Sequence, residues 1–227
     1  MNLALNPIVL KNLSEAMLGD SYYQSKITYW NRLKIAFNGG SDYTFFILRK
    51  NPLESDANYA KRLANAYYFN YPSTIIGLYS FSIMEQEAKS SYGSIALDEI
   101  WMMFNSNCDQ FNTNLKDFID RTQIYASIYG HVGVLVNKPI LPEKSTRADE
   151  IRNGLIPYLT MYTPDRILSA LFERNPVTHK IELSFLKLHD LDDRIQVWTK
   201  TNVRIYQLNN SNPEIKPTDV DSISTIS

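Results

Sequence analysis

The sequence predicts an α+β protein, with a helical N-terminal half carrying a short strand or two and an antiparallel β-rich region after it. Two changes of pattern predict this. Before Gly130, apolar residues recur at helical spacing in several segments; after Pro157 the period becomes two. These changes divide the 227 residues into an N-terminal arm (1–20), a mainly helical region (21–140), an exposed loop (141–156), an antiparallel β region (157–209) and a flexible or truncated tail (210–227).

The arm carries Pro7 and Gly19 in a mixed opening. From Tyr22 to Phe37, Ile27, Trp30, Leu33 and Phe37 fall near helical spacing, and "NGGSD" (Asn38–Asp42) is a stop. In the next segment Asn51 can cap a helix, Pro52 takes its first position and Glu54 completes a capping box. Ala60, Leu63, Ala64 and Tyr67 make one face, and Tyr71-Pro72 ends it. "IIGLYSFSIM" (Ile75–Met84) alternates Tyr79, Phe81 and Ile83 with Ser80 and Ser82, which predicts a half-buried strand. A polar connection follows, and Ser94 is the expected cap of a short helix carrying Leu97, Ile100, Trp101 and Phe104.

After the turn-rich "NSNCDQFNTN", Asn114 or Thr113 opens a helix with Leu115, Phe118, Ile119, Thr122, Ala126 and Tyr129 at helical spacing. Ile124 and Ile128 add apolar residues opposite, so its second half is expected to be buried all round. Gly130 stands where a helix end favours a left-handed residue. A strand with Val132, Val134 and Val136 on one face follows, then a charged exposed loop over Ile140–Asn153. "PYLTMY", "KIELSFLKL", "RIQVWTK" and "NVRIYQL" are four strands of an antiparallel meander, with "HDLDD" and "KTN" as turns. "TPDRILSALF" reads as a short helix or turn, and no internal repeat is found.

Composition narrows the function. A formal net charge of −1 gives no global field toward nucleic acid or anionic membranes. The single cysteine, Cys108, forms no internal disulfide. Residues 1–18 lack a basic start and a continuous apolar stretch, so no signal peptide is expected, and no apolar run is long enough to span a bilayer. Fifteen tyrosines supply large contact area with polar tips, which suits protein–protein surfaces.

The candidate chemistries each have a simpler structural reading. A phosphate cradle needs a glycine turn between a strand and a helix N-terminus. Around Gly130-His131-Val132-Gly133 the order is helix, glycine, strand, and a helix C-terminus repels phosphate. His131, His179 and His189 are widely spaced and form no zinc motif with Cys108. "NSNCDQFNTN" is oxygen-rich, but it lacks the central glycine and closing glutamate of a calcium loop. "HDLDD" reads as an acidic hairpin turn, and no nucleophile motif is present. No catalytic, cofactor or metal site is therefore expected.

An ordered series of motifs adds a family. "RKNPLESDANYAKRLANAYYFNYPSTIIGLYSFSIM" carries Pro52, Glu54, Tyr59, Arg62, Ala66 and Asn70. "IWMMFNSNCDQFNTNLKDFIDRTQIYASIYGHVGVLVNKP" carries Asn107, Asp109, Leu115, Phe118, Gly130, Gly133 and Pro139. "GLIPYLTMYTPDRILSALF" carries Pro157, Tyr158, Tyr162, Pro164 and Ile167. In order and spacing, residues 48–170 resemble the portal proteins of tailed bacteriophages, the head-tail connectors, in their N-terminal and wing region. Three positions depart from the family pattern: Phe111-Asn112 replace a glycine, Asn137 replaces an aspartate, and Ile156 replaces an arginine. Portal proteins are also longer, which leaves three readings open: an N-terminal part, mostly wing, with stem, clip and crown following it, a compact relative, or a split product.

The resemblance implies a structural protein of the virion with no enzymatic activity. The family forms a ring, usually a homododecamer, at one capsid vertex, assembled in the bacterial host cytoplasm. Double-stranded DNA passes through it non-specifically during packaging and ejection. Its implied partners are further copies of itself, the major capsid protein, terminase during packaging and the head-completion or tail adaptor, with no membrane. Tyr59, Arg62, Asn70, Asp109, Phe118, Gly130, Gly133, Pro139, Pro157 and Tyr158 are then structural motif positions. Two other readings of the residues stay open. Another head-tail adaptor module would give a smaller ring or a monomer. An enzyme using His131, or His189 with Asp190, would need a concave pocket around them.

Overall fold

The computed structural model describes residues 18–85, 98–139, 146–190, 194–207 and 217–220. Among them are seven α-helices and two antiparallel sheets, the α+β class with helices first. Two compact units divide the chain: one combines residues 1–28 with 164–227, the other spans 29–163. The N-terminal arm up to residue 17, the expected Ser94 cap, the "HDLDD" turn beyond Asp190 and most of the tail lie outside the described residues.

Helix α1 covers Ser21–Asn38 and ends at Gly39, whose φ is 68°. The expected stop there lasts one residue, because Gly40 opens α2 (Gly40–Ile47). Helix α3 (Asp56–Ala64) starts later than its spacing predicts. Ser55, not Asn51, is its cap, and Ser55 Oγ accepts the Asn58 amide at 3.3 Å. Asn51, Pro52 and Glu54 instead build a separate turn, and Tyr67 lies beyond the helix.

Residues 75–84, expected as a strand, form most of helix α4 (Tyr71–Met84). Asn70 caps it and Pro72 sits in its first turn, so Tyr71-Pro72 begins a helix where it was expected to end one. The alternation of Tyr79, Phe81 and Ile83 misleads because this helix is apolar on every side. Without a polar stripe, helix and strand periods look alike.

Helix α5 (Glu99–Ser106) is capped by Asp98, whose Oδ1 accepts the Ile100 amide at 2.9 Å. Helix α6 (Leu115–Tyr129) has the expected Asn114 cap, with Asn114 Oδ1 accepting from Asp117 N at 2.8 Å. Phe118, Ile128 and Tyr129 are buried, and Gly130 closes the helix in the left-handed conformation at φ 87°. Strand β1 (Gly133–Asn137) follows as expected. The loop expected over Ile140–Asn153 contains a helix, α7 (Arg147–Arg152), started by a reciprocal Thr146–Asp149 capping box.

Strand β2 (Tyr158–Tyr162) corrects the expected meander. It pairs antiparallel with β1, from Gly133 opposite Tyr162 to Asn137 opposite Tyr158. Its place as the first meander strand is taken from "TPDRILSALF", which makes a short 3₁₀ turn (Pro164–Arg166) and then β3 (Ile167–Arg174). The meander runs β3, β4 (Ile181–His189), β5 (Arg194–Thr199), β6 (Val203–Gln207) and β7 (Pro217–Val220), each antiparallel to the next. The last of these lies within the tail expected to be flexible.

The β unit has its core at Leu168, Ile195, Val197 and Tyr206, with Tyr23 and Phe185 packed against it. Residues before the helical unit complete this β unit. Asp20 N–H donates to the Leu168 carbonyl at 2.9 Å, and Tyr23 Oη donates to the Asp165 carbonyl at 3.0 Å. The buried Lys187 ammonium donates to the Leu18 carbonyl at 3.0 Å. Among the described residues, no helix is long and apolar enough to cross a membrane.

Candidate functional site

Of the ten motif positions, Tyr59, Arg62, Asn70 and Asp109 bond backbone groups through their side chains. Tyr59 Oη donates to the Leu48 carbonyl at 2.8 Å, and the Arg62 guanidinium lies over its ring at 5.6 Å. Arg62 grips Glu54 with two bonds, Nε to Oε1 at 3.0 Å and Nη2 to Oε2 at 2.8 Å, and also donates to the Arg49 carbonyl at 2.8 Å. Such a fork fixes geometry as well as adding attraction. The Arg62 hydrogen bonds hold the Glu54 carboxyl below its ordinary value. Glu54 Oε2 in turn accepts the Asn51 amide at 3.3 Å, and Asn51 Oδ1 accepts the Leu53 amide at 3.0 Å. The outcome is a braced turn whose tip, Leu53, is 98% exposed.

Asn70 joins two helices, α1 and α4. Its Oδ1 accepts the Ser73 amide at 3.1 Å, and its Nδ2 donates to the Phe37 carbonyl at the end of α1 at 2.6 Å. Tyr68 reaches the Ala36 carbonyl and packs on Tyr43, with ring centroids 4.0 Å apart. This pins the even-numbered residues of 66–70 inward and turns the odd ones out. Tyr67, Phe69 and Tyr71 form an exposed aromatic ladder, with successive centroids 4.8 and 6.0 Å apart. Together they expose on the order of 400 Å², the size of the largest apolar patch on a typical monomer.

Asp109 is buried and shapes the loop before α6. Its Oδ1 accepts the amides of Phe111 at 2.9 Å and Thr113 at 3.2 Å. The loop needs left-handed backbone at Asn112, with φ 62°, in the pair that stands where portal proteins have a glycine. Asparagine tolerates that conformation better than most residues, so the departure has a local solution. The same loop meets β2, where Leu159 N–H donates to the Cys108 carbonyl at 2.7 Å. Burial pushes the Cys108 thiol up, away from the reactive thiolate.

Phe118 sits in the core and Gly130 turns the chain toward β1. Gly133 is the first residue of the β1–β2 ribbon. At its other end Asn137 Nδ2 donates to Tyr158 Oη at 3.1 Å. This gives the asparagine that replaces aspartate a bond of its own. Pro139 and Pro157 follow β1 and precede β2, where a residue without N–H bounds the pairing.

The histidines stand apart from these features. His131 is exposed and meets the Trp30 ring edge-on at 6.0 Å. His179 is an exposed turn residue with φ 55° between β3 and β4, and His189 is the last residue of β4. Beside it, buried Asp190 accepts from Gln196 Nε2 at 2.6 Å, and its amide donates to the Arg194 carbonyl at 2.7 Å. Those bonds fasten the β4–β5 hairpin. Among the described residues, no group of three or more His, Cys, Asp or Glu is placed to hold a metal ion.

Among its described residues, the helical unit carries an open depression and a groove. An open depression of about 720 Å³ lies against the braced turn and is lined by Arg49, Lys50, Asn51, Leu53, Glu54 and Arg62. A groove of about 450 Å³ runs between α4 and α6, with Gly77, Phe81 and Met84 on one side and Lys116, Asp120 and Ile124 on the other. His131 lines neither. Sequence reading missed the groove because it made α4 a strand. The signal available was Asn70 followed by Pro72, a cap and first-turn proline ahead of an apolar run. Compared with known families and proteins, the chain matches no family model, and no curated protein matches it.

Proposed function

We propose that this chain is the wing region of a portal subunit of a tailed bacteriophage. Its task is mechanical: copies form a ring at one capsid vertex, and double-stranded DNA passes through the ring during packaging and ejection. Terminase docks on the ring first and the head-completion adaptor later. No residue performs chemistry in this reading.

The observation that carries the proposal is helix α4. Its residues Leu78, Tyr79 and Phe81 are 66%, 67% and 64% exposed, and its apolar residues occupy every side. A helix of this kind is stable when it is covered. A ring supplies the cover from neighbouring copies, and the motif series that suggests the family runs directly into this helix. The near-neutral charge is a second support. A channel through which DNA slides is poorly served by many basic phosphate contacts.

The test is native mass spectrometry of the full-length gene product, with negative-stain images of the same sample. The expected result is a closed ring near twelvefold with a central hole. A monomer at every concentration overturns the portal reading. A small oligomer that binds a capsid or tail partner overturns it in favour of an adaptor module.

A further inference from the structure

The braced turn and the α4–α6 groove have complementary properties and occupy different patches of the same helical unit. We infer that they are the two halves of one subunit–subunit contact, in which Leu53 of one copy enters the α4–α6 groove of the next. The inference rests on the ring-forming reading above and names the surfaces that would make the ring.

Three observations carry it. The first is the rigidity of the knob. A leucine exposed at 98% gains nothing for its own chain, yet its turn is held by the Arg62–Glu54 fork and the Asn51 bonds. An apolar tip held in one shape loses little entropy on docking.

The second is Gly77. Glycine inside a helix lowers its stability, and a Cβ placed on Gly77 would meet nothing within 4 Å in its own chain. The missing side chain therefore serves no packing within the chain. It keeps the groove open and lets a partner approach the α4 backbone.

The third is charge. Around the knob, Lys50 pairs with Asp56 and Arg62 with Glu54, which leaves Arg49 as a net positive charge. Glu85 and Asp120 line the groove against the single cation Lys116. Arg49 forms no ion pair among the described residues, so its charge is left for the carboxylates of a partner's groove. Potentials of opposite sign orient the approach and fix the register. Because knob and groove are different patches, the contact is head-to-tail, the kind that closes into rings.

The experiment uses the full chain and reads both assembly and fold. Leu53→Asp and Gly77→Leu are each expected to keep the far-ultraviolet spectrum and melting temperature of the single chain. Each is expected to lower the assembled fraction about tenfold or more. In a second arm, Leu53→Cys combined with Ile124→Cys is oxidised and run without reductant. A covalent ladder reaching beyond the dimer is expected, and Leu53→Cys alone should give none. A dimer from Leu53→Cys alone means a two-fold contact and overturns the inference. Intact rings with neither substitution effects nor a ladder overturn it and leave the ring reading standing. A wild-type chain that never assembles overturns both.

Discussion

At the scale of single residues, two glycines make opposite predictions. Gly130 holds φ at 87° with open space around it, so alanine there meets backbone strain alone. Gly130→Ala is expected to destabilise the chain by about 1–2 kcal/mol in chemical denaturation. Gly77 is an ordinary helical position with equal room. Gly77→Ala is expected to stabilise the unassembled chain by about 0.5–1 kcal/mol. The same denaturation series checks both, and a loss at Gly77 would remove the claim that its vacancy serves no packing within the chain. The Glu54–Arg62 brace predicts a pH response. The pairing depresses the folded carboxyl below its ordinary value of 4.5. Its contribution is therefore complete above that value and is lost as the pH falls through the lower folded one. An acid titration followed by the Arg62 Nε–H resonance should show a midpoint below 4.5. A midpoint at or above it would mean that the fork is absent in solution. Gly130 was legible in the sequence because a left-handed helix end has a strong local signature. The brace was partly legible, as a capping box: Glu54 Oε2 does accept the Asn51 amide, but Asn51 Oδ1 accepts from Leu53 rather than Glu54, around a turn.

At the scale of elements, α4 is the instructive case. Its start depends on Asn70, which caps α4 and at the same time ties it to the end of α1. Asn70→Ala is expected to cost about 1–2 kcal/mol, most of it the lost cap. Thermal melts with helicity followed at 222 nm test this, and an unchanged melt would argue that α4 is held by packing alone. Helices with one polar face, such as α1 and α6, were readable from spacing. Helix α4 was not, because its sides are equally apolar and the alternating serines imitate a strand. Helix α7 was hidden for a different reason. It has six residues, too few for periodicity to show, and only its Thr146–Asp149 box marks it.

At the scale of the whole molecule, residues distant in sequence make the β unit. Tyr23 packs on the core of Leu168, Ile195, Val197 and Tyr206 and donates to the Asp165 carbonyl. Tyr23→Phe is expected to cost about 1 kcal/mol for that hydrogen bond. Tyr23→Ala should cost about 3 kcal/mol, since packing goes as well. Equal losses from the two would assign the whole effect to the hydroxyl. Strand β2 shows the same non-local choice. Its period-two pattern made it a strand, yet it pairs with β1, more than twenty residues earlier, and not with the meander that follows. Local pattern carries which faces are apolar; it does not carry which edge is free to pair.

The sequence by itself therefore determined the α+β class, the helix caps at Asn114 and Gly130, and the three meander strands β4, β5 and β6. These depend on interactions within a few residues, where side-chain chemistry acts directly on the backbone. Tertiary structure decided the helical state of α4, the partner of β2, the placing of Tyr23 in the β core, and the groove that Gly77 leaves open beside α6. Each of those depends on what lies opposite a surface in space, and the free energy of covering that surface outweighs local preference.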